Sequence, residues 1–184
     1  MNKGIVDAAR DVHPIIVCEG RAEEVIVRKL LDEDALVYQA ANVVAVTRTR
    51  RASDIQEAFL NYDYDWPVCI ARVLDSRKET FRLGNLYRDR YQVKSYITHP
   101  EVEMLVILRE GQWAGWQKVK RQMKPSDYCK RRLGLKGIKA DSFLRDYWDV
   151  DSIKKAASEY KRRIVIPRGE LCLADLIRYN TLGR

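Results

Sequence analysis

The sequence predicts an α/β protein in which a mainly parallel sheet is flanked by helices and followed by a basic, helical C-terminal subdomain. Over the first hundred residues, short apolar or β-branched segments alternate with helical ones, as in βαβ units. After Gly111 the pattern changes to a series of short helices, and most of the excess positive charge lies there. We therefore divide the chain into an α/β domain, 1–111, and a basic helical subdomain packed on it, 112–184.

Apolar runs indicate the strands of the first part, because a strand covered on both faces is apolar throughout. The amphipathic stretches between these runs indicate helices. We expect Ser53 to cap one of them, with Gln56 at the capping-box position. The predicted strands are 14–18, 35–39, 42–48, 66–75 and 92–97. The predicted helices are 22–33, 54–62, 78–91 and 100–111, the last with Pro100 in its first turn and Gly111 at its end.

Helical periodicity dominates the second part. Asp151 is the expected N-cap of its longest helix, in which Ile153, Ala157 and Tyr160 share one face. The predicted helices are 111–123, 125–135, 141–149, 151–163 and 172–180, and a short strand is predicted at 163–167.

Composition excludes several classes of protein. An apolar fraction of 46% over 184 residues indicates a folded chain with a sizeable core. No segment approaches the roughly 20 apolar residues that span a bilayer, and residues 1–20 lack a secretory-signal pattern, so a cytoplasmic location is expected. The four cysteines are scattered without a zinc-ligand spacing, and Cys18 and Cys69 lie inside apolar runs, where we expect small buried side chains.

The net charge of +8 is concentrated in one region. Residues 115–170 contain 16 Lys and Arg against 7 Asp and Glu, a balance of +9, so the rest of the chain sums to −1. This asymmetry favours a polyanionic partner, most simply nucleic acid; a basic, solvated surface is the alternative. The expected phosphate contacts in this region are Lys118, Arg121, Lys130, Arg131 and Arg132.

Acidic residues follow the two most apolar predicted strands. Glu19 comes directly after 14–18, and Asp75 ends 66–75. Functional groups collect at the carboxyl ends of strands in a parallel sheet, so these two carboxylates converge if their strands are neighbours. Converging carboxylates suit Mg²⁺ or Mn²⁺. A solvated strand end for Glu19 and a plain turn for Asp75 are the alternatives.

Three short motifs resemble a known family. CEGRAEE (18–24) and LDSRKE (74–79) resemble the acidic motifs of the Toprim fold, which occurs in topoisomerases, primases, OLD-type nucleases and small ribosomal-RNA maturation nucleases. ITHPEVEMLVILREG (97–111) resembles the Asn-Pro-x-Phe-Glu stretch of RloB-like proteins, a Toprim-related group associated with restriction and antiviral defence. Residues 130–143 loosely resemble the helical tail of that group. His99 and Val102 stand where Asn and Phe are usual, and Arg77 stands where the second motif has an acid.

The resemblance implies a metal-dependent nuclease that acts on DNA or RNA. Glu19, Asp75 and Glu103 would hold Mg²⁺ or Mn²⁺, and Arg77 and Lys78 would contact phosphates. A partner protein encoded nearby is a second expected contact, and no membrane partner is expected. The alternative is a non-catalytic Toprim-like protein that binds nucleic acid or a partner through a degenerate acidic site. A third hypothesis is an enzyme that acts on a nucleotide or on another phosphorylated small molecule.

Other chemistries have less support in the sequence. His99 precedes a proline four residues before Glu103, and it is either a proton donor or metal ligand or a hydrogen-bonding loop residue. Glu23 is expected to be an ordinary first-turn helix acid. The chain has no G-x-S-x-G, no Walker A loop and no G-x-G-x-x-G, which disfavours a serine hydrolase, a P-loop ATPase and a dinucleotide enzyme.

Overall fold

Four parallel strands in the order β2-β1-β3-β4 form the centre of the computed structural model, which describes residues 9–179. The strands are β1 (His13–Cys18), β2 (Ala45–Thr47), β3 (Val68–Leu74) and β4 (Gln92–Ile97). The first helices are α1 (Arg21–Asp32), α2 (Ala52–Ile55, continuing as a π-helical turn Gln56–Leu60), α3 (Asn85–Arg88) and α4 (Met104–Arg109). They are followed by α5 (Trp113–Val119), α6 (Pro125–Arg131), α7 (Asp141–Tyr147), α8 (Val150–Arg163) and α9 (Leu173–Leu176). The predicted α/β class, with a parallel sheet flanked by helices, is confirmed.

Both faces of the sheet are covered, which explains why its central strands are almost entirely apolar. Along β1, Ile16 and Cys18 belong to the larger core cluster, whereas Ile15 and Val17 belong to a smaller cluster on the opposite face. The larger cluster includes side chains from the strands and from the helices after Gly111, so one continuous core joins the two parts of the chain. The boundary at residue 111 stays a prediction.

Residues 35–39 were predicted as a strand, and this prediction is wrong. The segment is buried at Leu36 and Tyr38, but it lies outside the sheet. Its hydrogen bonds go to the end of the chain: Val37 N donates to Leu176 O (2.9 Å), and Leu36 forms an isolated antiparallel bridge with Ile177. The apolar pattern therefore predicted burial correctly. The backbone conformation depends instead on contacts with Leu176 and Ile177, which are far away in sequence.

The predicted helix 78–91 is also mostly wrong, because only Asn85–Arg88 form a helical turn. Glu79 and Phe81 both contact Arg72, a buried residue of β3: Glu79 Oε2 lies 3.0 Å from Arg72 Nη2, and the guanidinium lies 4.5 Å from the Phe81 ring centre. Residues two apart reach one target from an extended segment but point to different sides of a helix. Two contacts with the same buried arginine thus keep this segment from forming a helix before Asn85.

Several predicted boundaries and caps differ from the structure. The helix predicted from Pro100 begins at Met104, after a turn in which Met104 N donates to Glu101 O (3.0 Å). Ser53 caps nothing, because α2 begins one residue before it, at Ala52. The N-cap of α8 is Asp149 and not Asp151, since Asp149 Oδ1 accepts from Ser152 N at 2.8 Å. The predicted strand 163–167 is irregular after α8 ends, and Leu171 bridges to β4 instead.

Other predictions are confirmed within the described residues. Ile153, Ala157 and Tyr160 are buried together along α8, and Gly111 closes α4 with a φ of 67°. Cys18 and Cys69 are buried free thiols, as are the other two cysteines. None of the helices of residues 9–179 is long and apolar enough to cross a membrane. Residues 1–8, part of the segment that lacks a secretory-signal pattern, lie outside the described residues. The same holds for residue 180, the last of the predicted helix 172–180.

Gly115, in the middle of α5, provides a test of the packing between α5 and α6. Replacing a mid-helix glycine by alanine normally stabilises a helix by about 1 kcal/mol. Here a β-carbon would overlap the hydroxyl of buried Tyr128. We therefore expect Gly115→Ala to lower the free energy of unfolding, by about 1–2 kcal/mol in urea titration.

The matched control removes the obstructing atom. In a Tyr128→Phe background the nearest ring carbon, Cζ, would lie 3.6 Å from the new β-carbon, an ordinary contact. Gly115→Ala should then be neutral or stabilising. Equal destabilisation in both backgrounds would contradict this account of the packing.

Candidate functional site

The carboxylate of Glu19 connects the ends of the two central strands. Glu19 follows β1, and its backbone N donates to Val73 O of β3 (2.9 Å), which continues the ladder beyond the strand. Its side-chain Oε2 accepts from the backbone N of Asp75 (2.9 Å) and of Ser76 (3.2 Å). Glu19 is thus neither a plain strand end nor fully solvated. It orders the turn that carries Asp75.

Four carboxylates line one open pocket of about 210 Å³ at the carboxyl edge of the sheet. Glu19 and Asp75 follow neighbouring strands, because β1 and β3 are paired, so the condition for their convergence is met. Glu103 comes from the turn before α4, and Glu23 from the first turn of α1. The structure therefore places the three predicted metal residues in one pocket and adds Glu23 to them.

Glu23 is the residue that the sequence analysis undervalued. It is 4% exposed, and a hydrogen bond from its own backbone N–H offsets part of the cost of burying its charge. Burial raises the pKa of Glu23 to about 7, and the negative charges of Asp75, Glu103 and Glu19 add to this effect. The second acid of the CEGRAEE motif therefore faces the pocket and does not behave as a solvated first-turn acid.

Gly20 allows this arrangement. A β-carbon at residue 20 would lie 3.0 Å from Glu23 Oε2, tighter than a relaxed contact. The backbone of Gly20 is extended, so the requirement for glycine is one of space and not of conformation. A glycine directly after Glu19 was the sequence signal for this close approach.

Asp75 shows a similar shift in ionisation. Burial raises its pKa to about 7, and the neighbouring charge of Glu19 acts in the same direction, followed by that of Glu103. Burial and the mutual repulsion of the acids therefore outweigh the nearby cations at Asp75 and Glu23. Raised carboxyl pKa values of this kind are common at functional sites.

Two cations reach the edges of the acidic pocket. Arg50 Nη2 lies 3.2 Å from Glu19 Oε1, and Lys139 Nζ lies 3.4 Å from Glu103 Oε1. Arg50 also contacts Glu79 (3.1 Å), which in turn pairs with buried Arg72 of β3. A chain of alternating charges therefore runs from Glu19 into the sheet. Neither Arg50 nor Lys139 had been selected from the sequence, because each meets its acid only through tertiary contacts.

The donor chemistry of the pocket fits a hard divalent ion, since all four acids offer carboxylate oxygens. The oxygens are not already gathered around one point. Among residues 9–179 no group of three or more His, Cys, Asp or Glu side chains is arranged to hold a metal ion. Glu19 is engaged by backbone amides and Glu103 by Lys139, so a bound ion would have to compete with these contacts.

His99 does not line the acidic pocket. Its carbonyl accepts a hydrogen bond from the Tyr160 hydroxyl (2.8 Å), and its Nδ1 is buried with no hydrogen-bond partner among the described residues. Neither contact assigns a role to the imidazole, so both interpretations of His99 stay predictions.

The predicted phosphate contacts fall into two groups. Arg77 forms a two-pronged pair with Glu170, with Nε–Oε2 and Nη2–Oε1 distances of 2.8 Å each, so this arginine is engaged within the chain. The other predicted residues are exposed, and no carboxylate of residues 9–179 forms an ion pair with them. They are Lys78, Lys118, Arg121, Lys130, Arg131 and Arg132.

Three comparisons with known proteins found no match for this chain. No protein-family model matches the chain, and neither a curated protein nor a solved structure is significantly similar to it. What the fold and the site define is an α/β protein with four parallel strands and an acidic pocket at their carboxyl edge.

We predict that substitutions of Glu23 and of its neighbour Glu24 change the free energy of unfolding in opposite directions. An acid whose folded pKa lies above its unfolded value binds more protons in the folded state, so it reduces stability as pH rises from about 4 to about 7. Glu23→Gln should therefore raise the free energy of unfolding at pH 8, on the order of 2 kcal/mol, with a smaller gain at pH 5.

Glu24→Gln is the matched control. Although burial opposes ionisation, hydrogen bonds from Arg21 and Arg28 lower the pKa of Glu24, so its charge stabilises the fold above pH 5 and is lost on acidification. The control should lower the free energy of unfolding at pH 8. Urea titrations at both pH values measure the two variants, and a loss of stability in Glu23→Gln at pH 8 would contradict the assignment.

Proposed function

We propose that this chain is a Toprim-like, metal-dependent protein that processes phosphodiester bonds in nucleic acid, most simply a nuclease of a defence system. The observation that carries the proposal is the acidic pocket itself. Glu19 and Glu23 come from one stretch of the chain and Asp75 and Glu103 from two others, and all four line one pocket at the carboxyl edge of a parallel sheet, where α/β proteins bind ligands.

In this proposal Glu19, Asp75 and Glu103 hold Mg²⁺ or Mn²⁺, with Glu23 as a fourth oxygen donor. A bound ion would stabilise the negative charge that develops on the phosphate and activate water. The raised pKa values of Asp75 and Glu23 mean that the ion must displace protons, so affinity should increase as pH passes through about 7. Lys139, released from Glu103, would remain beside the pocket to contact a phosphate.

The basic, exposed residues of α5 and α6 supply the second support for the proposal. Lys118, Arg121 and Lys130 to Arg132 offer positive charge for a polymer backbone, without a motif for reading bases. The four buried free thiols fit the cytoplasm, where thiols stay reduced.

A second candidate function is non-catalytic binding of nucleic acid or of a partner protein encoded nearby. The contacts that favour it are Arg50 with Glu19 and Lys139 with Glu103, because these cations already neutralise two of the four acids. Arg77, at the position of the expected second acid, is likewise engaged by Glu170. In this reading the acidic pocket is a structural ion network.

Cleavage assays test the enzymatic proposal. With Mg²⁺ or Mn²⁺, the full-length protein should cleave single-stranded or duplex DNA or RNA, and a chelator should stop it. Glu19→Gln keeps the shape of the side chain but removes its charge, so we expect cleavage to fall at least 100-fold, as when a charge-stabilising group is lost. Cleavage that persists at the wild-type rate in this variant would contradict the site.

Metal binding is tested separately by thermal denaturation. An ion that binds only the folded state stabilises it by about 2.7 kcal/mol at 100 times its dissociation constant. Mn²⁺ or Mg²⁺ should therefore raise the melting temperature of the wild type, and Asp75→Asn should remove the shift. The control Asp65→Asn, in the exposed loop before β3, should leave the shift unchanged. A wild type that shows no shift with either ion would favour the second candidate function.

A further inference from the structure

Three arginines converge on one buried carboxylate beside the acidic pocket. Glu24 is 7% exposed, and it accepts from Arg21 Nη1 at 2.9 Å and from Arg28 Nε at 2.9 Å. Arg48 Nε lies 3.1 Å from the same carboxylate. We call Arg21, Arg28 and Arg48 the arginine cluster.

The arginine cluster carries more charge than its carboxylate neutralises. Three guanidinium groups against Glu24 leave a local charge of +2. Asp141 contacts Arg21 of the cluster and is also paired with Arg145, so adding this acid and this arginine leaves the local charge at +2. The side chains of Arg28 and Arg48 are 52% and 57% exposed, so part of each guanidinium faces solvent while Glu24 holds it in position.

The position of the cluster relates it to the acidic pocket. Arg48 follows β2, which pairs with β1, and therefore lies at the same carboxyl edge of the sheet as Glu19. Arg21 lines both the acidic pocket and a second cavity of about 300 Å³, whose wall also includes Arg28, Lys29 and Arg145, with Asp32 as its one acid. An anionic chain that reaches the acidic pocket on this side meets the arginine cluster directly.

We infer that the arginine cluster is a phosphate-binding site that holds the backbone of a polynucleotide beside the acidic pocket. Guanidinium groups bind phosphate oxygens through paired N–H donors, and a guanidinium already held by a carboxylate loses less freedom on binding. The inference rests on the proposed function for its choice of polymer. Arg145 and Lys139, which follow residue 115, line the cavity and the pocket next to the arginine cluster, so the substrate contacts both parts of the chain.

Polymer binding without cleavage tests the inference. Anisotropy of labelled single-stranded and duplex oligonucleotides is measured in chelator, over a range of salt concentrations, with the full-length protein. Arg28→Gln/Arg48→Gln should weaken binding about tenfold and reduce the slope of log K against log salt by about one to two. Circular dichroism establishes that the variant is folded.

The matched control also removes two positive charges, but near the amino end of the outer strand β4. Arg88 and Arg90 precede β4, and each is exposed and paired with one acid, Asp89 and Asp63 respectively, at 3.5 Å. Arg88→Gln/Arg90→Gln should change affinity less than twofold. Equal losses in both double variants, no loss in the first, or no binding by the wild type would overturn the inference.

A variant that is expected to bind oligonucleotide more tightly provides a further control, because misfolding would weaken binding. Glu24→Gln removes the negative charge and keeps a hydrogen-bonding side chain, so the folded variant should bind oligonucleotide more tightly, by about threefold or more. Unchanged or weaker binding would count against the site. Competition by polyglutamate as effective as that by unlabelled oligonucleotide would overturn the assignment to phosphate.

The outcomes separate this inference from the proposed function. Cluster-dependent binding without any metal-dependent cleavage would support the phosphate site and reject the nuclease. Metal-dependent cleavage with wild-type binding in Arg28→Gln/Arg48→Gln would support the nuclease and reject the phosphate site.

Discussion

The pairing of β1 with β3 is the constraint on which the rest of the structure depends. It brings the ends of two strands that are more than fifty residues apart in sequence to the same edge, where the Glu19 carboxylate accepts from the backbone of Asp75 and Ser76. A carboxylate that satisfies two buried backbone N–H groups stabilises the turn and fixes its own position. Each acid of the pocket is then placed relative to Glu19: Asp75 by that turn, Glu23 by α1, and Glu103 by the segment after β4.

The geometry of α1 divides the electrostatics of this edge into two regions. Glu23 and Glu24 are adjacent in sequence, but neighbouring residues on a helix point about 100° apart. Glu23 therefore enters a pocket of acids, where its pKa rises, and Glu24 enters a group of arginines, where its pKa falls. An acidic pocket beside a surplus of arginine suits a cation and a phosphate held next to each other, which is the chemistry that the proposed function requires.

Sequence patterns predicted the strands of the sheet well. They did not predict the conformation of segments that pack on the core through residues distant in sequence. The apolar runs at β1 and β3 gave strands because both faces of these strands are covered, so the run itself carries the information. The runs at 35–39 and 163–167 are also mainly apolar, but neither is a strand of the sheet. Residues 35–39 pair with residues 176–178 instead, and residues 78–84 lack regular secondary structure where Glu79 and Phe81 cover Arg72. These outcomes depend on partners that local periodicity does not encode.

For the site, the sequence by itself determined which acids end the central strands, because apolar strands and the glycine after Glu19 are local features. It also determined the concentration of positive charge after residue 115. Only the tertiary structure decided that Glu23 joins the pocket, that Arg50 and Lys139 reach its edges, and that Arg77 pairs with Glu170. The physical reason is that ionisation and ion pairing depend on burial and on charges a few ångströms away, and those neighbours come from segments far apart in the chain.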